Sequence, residues 1–299
     1  MATTTSITTS YAGEKLQGFI SAALLSANTI EKGGVTVKPN VKFKQVIKKL
    51  STNDLVADGT CDFDATSTVT LTERYLEPKE FQVNLQLCKQ DFRDDWDAIS
   101  MGMSAHDSIP PAFSDYLLGH VVSKVAEKIE NTIFGGDDSV AGEFDGLIAL
   151  AAADADVVDV AGTTIDATNV IAELGKVVDA IPTTVYGQED LSVYISPSTA
   201  RAYIRAQAAL GYKDLYHVGQ TALDFEGVKL FVSNGMPANK MIAAQSGNLM
   251  YGTGLLNDKN VAKVIDMADI DGSQNVRIVL RYTATVNFGI GSEIVLYSA

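Results

Sequence analysis

Residues 67–89 read STVTLTERYLEPKEFQVNLQLCK, and residues 35–47 before them read VTVKPNVKFKQVI. Both stretches alternate β-branched or aromatic residues with polar ones, the period of strands with one solvated face. Between them, STNDLVADGT (51–60) and DFDAT (62–66) carry turn chemistry. The pattern predicts a long hairpin within residues 35–90, with arms of ~15–20 residues reaching roughly 50–65 Å at ~3.3 Å per residue. A compact remainder of about 200 residues has a radius of gyration near ~16 Å. Such a hairpin overshoots its own domain. A two-stranded ribbon alone is marginal in water, so this one is expected to rest on another subunit.

The rest of the chain alternates helix and strand. Pro110 and Pro111 open the clearest helix, predicted over 109–134, where their missing N–H groups are tolerated. Phe113, Leu117, Val121, Val125, Ile129 and Ile133 recur every four residues, widened by Leu118, Val122 and Ala126. Lys124, Glu127, Lys128 and Glu130 are read as the wet face, and Gly135 and Gly136 as the stop. AAADADVVDVAGTT (151–164) reads as loop with a short strand, and ATNVIAELGKVVDAIP (167–182) as an amphipathic helix. LSVYI (191–195) is a buried strand, and SPSTARAYIRAQAALG (196–211) a helix with Ser196 as N-cap. GVKLFVS (227–233), KMIAAQ (240–245), NVRIVLRYTATVNFG (275–289) and SEIVLYS (292–298) follow as strands, the last two expected to pair antiparallel.

Composition narrows the function classes. The chain has 299 residues, 46% hydrophobic and 20% charged, enough for one large or two modest domains. The start MATTTSITTS lacks a basic leader and apolar core and reads as a polar arm. Cys61 and Cys88 form no CxxC and fit a reduced intracellular setting. A net charge of −14 repels nucleic acid and anionic membranes. The basic cluster Lys42, Lys44, Lys48 and Lys49 has no interleaved aromatic platform and reads as a solvated or interacting strand.

Binding motifs fail on their chemistry. SGNLMYGTGLLND (246–258) spaces Gly247 and Gly252 like a P-loop, but Thr253 and Gly254 stand where Lys and Ser or Thr belong. Asn257 replaces the third glycine of a dinucleotide fingerprint. Gly247, Gly252 and Gly254 are therefore read as turn residues. Asp62, Asp64 and Glu73 match three positions of a calcium loop, but Ser67 occupies the required glycine position. His106, His120 and His217 lie in no catalytic pattern, and the acidic runs 91–97 and 269–272 read as surface turns. No catalytic residue, cofactor or metal is expected.

The order and lengths of these parts resemble the HK97-fold major capsid proteins of tailed bacteriophages. VYISPSTARAYIRA (193–206), DFEGVKLFVSNGMPANKMIAAQSGNLMYGTGL (224–255) and VRIVLRYTATVNFGIGSEIVLY (276–297) carry the likeness beyond the hairpin and long helix. The resemblance implies an α+β fold with an N-terminal arm (1–34), an E-loop region (35–90) and a peripheral domain with a spine helix (91–150, helix 110–134). It further implies an axial domain (151–260) and closing peripheral strands (261–299). It implies self-assembly into pentamers and hexamers of an icosahedral head that encloses DNA without reading its sequence. The expected partners are copies of itself, a portal, and a separate scaffolding or decoration protein, with no membrane. The expected location is the virion, after assembly in the host bacterial cytoplasm. Phe43, Leu71, Tyr75, Leu76 and Phe81 are the expected inter-subunit contacts. The family's founding member carries a scaffolding segment ahead of its arm and crosslinks Lys to Asn. No matching Asn and Glu are placed here, so no crosslink is expected. Two rivals stand beside this reading: an encapsulin-type cargo shell, and a soluble α/β ligand-binding enzyme using the turn near Tyr251.

Overall fold

The computed structural model describes residues 28–41, 43–52, 56, 58–59, 61, 68–92, 111–210, 223–254 and 262–299. Residues 1–27 of the expected arm, Asp62 and Asp64, the acidic run beyond residue 92, Pro110, His106 and His217 lie outside these. In chain order the elements are α1 (Asn28–Glu31), β1 (Thr36–Lys38), β2 (Gln45–Thr52), β3 (Val69–Leu76), β4 (Lys79–Cys88) and α2 (Pro111–Gly135). Next come α3 (Leu147–Ala153), β5 (Val158–Ala161), α4 (Val170–Asp179), β6 (Leu191–Ile195), α5 (Pro197–Ala209) and β7 (Asp224–Phe225). β8 (Val228–Val232), β9 (Lys240–Gln245), β10 (Leu249–Thr253), β11 (Ala262–Asp266), α6 (Ala268–Asp271), β12 (Asn275–Phe288) and β13 (Val295–Ser298) complete the chain.

The strands form two sheets and a separate ribbon. β12 is the axis of the first sheet, in the order β1-β10-β12-β11, with β4 also paired to β12. Its 14 residues bury alternate side chains, Val276, Ile278, Leu280, Tyr282, Ala284, Val286 and Phe288, as a strand with one core face must. The second sheet runs β5-β13-β9-β6-β8-β7. β6 is buried at all five residues, because strands flank it on both edges and α4 and α5 pack with it in one apolar cluster. Among the described residues β2 and β3 pair only with each other, Gln45 opposite Leu76 through Thr52 opposite Val69.

Four expectations need correction. The hairpin is shorter: β4 leaves it and pairs along β12 from Lys79–Ala284 to Cys88–Asn275. The physical reason lies in its odd-numbered residues, since Phe81 and Val83 find apolar cover in the chain's own core. The regular arms are therefore eight residues each, about 27 Å long. Residues 151–153, read as loop, end the helix α3, whose Leu147 and Ala151 are buried in the first core. The last two strands do not pair: β12 lies in the first sheet, while β13 runs parallel to β5 and antiparallel to β9 in the second. Finally, Glu130 of α2 is not on a wet face but 0% exposed.

α5 begins as its sequence requires. Ser196 Oγ accepts from the Thr199 amide at 3.2 Å, with Pro197 in the first turn. α2 stops at Gly135, and Gly136 is packed so closely against Phe144 and Thr132 that a Cβ there would overlap them.

Candidate assembly surface

The ribbon presents apolar side chains that its own chain leaves uncovered. Phe43, just before β2, is 77% exposed; Leu50 on β2 is 65% exposed, and Val69 and Leu71 on β3 are 63% and 53% exposed. Leu50 lies opposite Leu71, so the pair makes one continuous apolar step across the ribbon. Tyr75 is also exposed, with Lys44 Nζ 3.9 Å from its ring centroid and 3.7 Å from Glu77. Three expected contact residues, Phe43, Leu71 and Tyr75, thus lie at the surface. Monomeric surfaces rarely gather so many large apolar groups on one slender element.

The other two expected contacts are placed differently. Leu76 is 1% exposed and packs over Gly252 of β10, where a Cβ would overlap Leu76 Cδ2 and approach Thr285 Cγ2 to 2.8 Å. Phe81 is half-buried, its ring 5.4 Å from Tyr282 and 6.1 Å from Phe144. Leu76 serves its own subunit, because the β3–β4 junction lies over the first sheet; Phe81 packs against the core and also lines a groove. Gly252 is thereby also corrected from turn to strand, paired with Thr285. It makes room for Leu76 and is no part of a phosphate loop.

Beside β4 runs a groove of about 770 Å³, lined among others by Phe81, Val83, Leu85, Val121, Val125 and Tyr282. β4 pairs with β12 and with no other strand of the described residues. Lys128, which lines the groove, pairs with Glu143. The hydrogen bond from Lys128 holds the Glu143 carboxyl below the usual carboxylate range.

The framework holding these surfaces in place includes a polar cluster at Glu130. The Thr29 amide donates to both carboxylate oxygens at 3.3 and 3.2 Å, the Thr29 hydroxyl donates to Oε1, and the Ser233 hydroxyl donates to Oε1 at 3.0 Å. Asn28 Nδ2 donates to the Val232 carbonyl at 2.8 Å, and Tyr194 Oη donates to the Gly34 carbonyl at 2.5 Å. Residues 28–34 are thus stitched to α2, β6 and the end of β8. Sequence gave no signal for this, because Glu130 sits among charged neighbours and its partners are about a hundred residues away on either side. Among the described residues, no group of three or more His, Cys, Asp or Glu side chains stands close enough to hold a metal ion. No helix among them is long and apolar enough to cross a membrane.

No family model and no curated protein sequence matches the chain. Solved structures do. The capsid of a native GTA particle is 16% identical, with 97% of this chain and 95% of that one covered and a TM-score of 0.65. The Gordonia phage Cozz structure is 13% identical over 92% and 87% of the two chains, at a TM-score of 0.60. The chain has the HK97-like capsid fold. The same capsid fold extends to the encapsulin SrpI of Synechococcus elongatus, 10% identical over 92% and 88%, at a TM-score of 0.56. The match to the GTA capsid covers nearly the whole of both chains.

Proposed function

We propose that this chain is the major capsid protein of a tailed-phage-type head, self-assembling into pentamers and hexamers that enclose double-stranded DNA. The carrying observation is the ribbon: a two-stranded element on a capsid fold, with Phe43, Leu50, Val69 and Leu71 exposed and joined to neither sheet of the described residues. In this reading the ribbon is the E-loop, trimmed from residues 35–90 to about 43–76. It lies across a neighbouring copy, with Phe43, Leu71 and Tyr75 as contacts and the β4–α2 groove as the receiving face. α2 is the spine helix, the first sheet the peripheral domain and the second sheet the axial domain, to which β13 returns. Apolar burial at ~25 cal/mol per Å², repeated by symmetry at every interface, supplies the cohesion. The net charge of −14 suits a container through which DNA must pass without adhering. A portal and a scaffolding or decoration protein are further partners of this reading, and the virion, assembled in the host cytoplasm, its location.

The likeness to an encapsulin keeps a cargo shell as the second reading. Negative-stain microscopy of the purified full-length chain tests both. Particles tens of nanometres across are the expected outcome, with nuclease-protected DNA in particles from a producing host. Protein-filled particles without DNA establish the cargo shell. A stable monomer or dimer at all concentrations overturns both.

A further inference from the structure

Two side chains on one face of β3 fasten the ribbon to its own subunit, while Ile47 of β2, opposite Arg74, lies near Gly289, and Lys49 acts on Asp154. Leu76 is the first, sunk over Gly252. Arg74 is the second, two residues and ~7 Å nearer the tip. Its guanidinium carbon stands 4.5 Å from the centroid of the Phe288 ring, and Nη2 pairs with Asp154 Oδ2. Asp154 is itself aimed, since its Oδ1 accepts from the Asp156 amide at 2.9 Å. Burial raises the Asp154 pKa, but the hydrogen bonds from the Asp156 amide and Arg74 outweigh it and keep the carboxyl below its ordinary range. The chain leaves space for this arrangement: a Cβ at Gly291 would sit 3.3 Å from Arg74 Nη2 and 3.1 Å from Asp154 Oδ2. Asn287 Nδ2 adds a bond to the Tyr75 carbonyl at 2.7 Å.

Toward the tip, Thr72 and Thr70 on the same face are exposed. A strand fastened at two points has a fixed pitch, whereas one fastened at a single point can swing. We propose that Leu76 and Arg74 form a two-point mount, in which Leu76 is the permanent pivot and Arg74, through Asp154 and Phe288, is a releasable latch that sets the angle of the ribbon. The two points differ in kind. Withdrawing Leu76 would expose a buried apolar side chain and open a cavity. Releasing Arg74 parts an ion pair whose side chains are 29% and 16% exposed and withdraws no apolar side chain from the core. The latch is thus the point at which the ribbon changes angle while the body stays folded. This device belongs to the single subunit and operates whether or not the chain builds a shell.

Spin-label distance measurements on the full-length chain, at a concentration where it is unassembled, test it. Cys61→Ser and Cys88→Ala remove the native thiols, and Thr70→Cys with Val140→Cys reports ribbon against body. Val140→Cys with Asp179→Cys reports the body alone. The unlatched variants are Arg74→Met, which keeps the stem, and Asp154→Asn, which keeps the shape should Arg74→Met fail to fold. The expected result is a ribbon–body distribution that widens or shifts by about twofold in width in the unlatched variants. Arg74→Lys, which keeps the charge, should stay near the parent, and the body pair should not change. An unchanged ribbon distribution in Asp154→Asn overturns the latch. Equal widening of both pairs also overturns it, since Arg74 would then be supporting the whole fold. A chain that never forms shells but shows the expected widening retracts the assembly reading and leaves the latch standing.

Discussion

Gly252 shows how a single missing side chain decides a local structure. Its position between Leu76 and Thr285 leaves no volume for a methyl group. Gly252→Ala should destabilise the subunit by about 1–3 kcal/mol through overpacking, measured by urea unfolding. Leu76→Ala should itself cost about 2–5 kcal/mol. The double variant should cost clearly less than the two added together, because the new methyl fills the space that Leu76 vacates. Full additivity would show that the two residues do not share that space. Glu130 is the opposite case, a buried acceptor serving the Thr29 amide, the Thr29 hydroxyl and the Ser233 hydroxyl. Glu130→Gln brings an NH₂ group into a site already filled with donors. A loss of about 1.5–3 kcal/mol is expected. An unchanged urea midpoint would show that the three bonds contribute nothing net.

At the scale of elements, strands and helices were legible wherever one side of the segment had to be apolar. The four-residue recurrence from Val121 to Ile133 marked α2, and the N-cap and proline of SPSTARAY marked α5. The failures were of partnership. LIALAAA carries too little patterning over seven residues to be distinguished from loop, and only the first core gives Leu147 and Ala151 something to cover. β4 alternates just as β3 does, so no local rule shows that one joins a sheet and the other stands free. That difference locates the surface available for assembly. Leu71→Glu on β3 should change the stability of the isolated subunit by no more than about 0.5 kcal/mol, since the site is exposed. It should nonetheless abolish particles in the microscope, because a buried interface cannot take an unpaired carboxylate. Normal particles from Leu71→Glu would remove this residue from the interface.

For the whole molecule, stability should form a plateau in pH with two limits. On the acid side, Asp154 and Glu173 lie below their ordinary values of 3.8 and 4.5. At Glu173, burial pushes the carboxyl up, but bonds from Lys176, Tyr297 and Thr163 pull it further down. A depressed folded-state pKa gives stability that is complete above the ordinary value and is lost as pH falls through the folded one. On the alkaline side, burial, joined by Glu173, raises the Tyr297 phenol from 10.0 to about 12. That contribution is complete below pH 10 and is lost as pH rises toward the folded value. Urea midpoints should therefore be flat between about pH 5 and 10 and fall on either side; a rise on acidification to pH 3 would contradict the first assignment. The sequence by itself determined the parts, because burial period, capping and turn chemistry act over a few residues. It also determined that the ribbon carries apolar residues on a strand-like element. Only the tertiary structure decided which strands pair, that β12 and β13 belong to different sheets, that Leu76 and Phe81 turn inward, and that Glu130 is buried. Each of those depends on contacts between residues far apart in the chain, and pairing at such distances follows from how whole faces fit together.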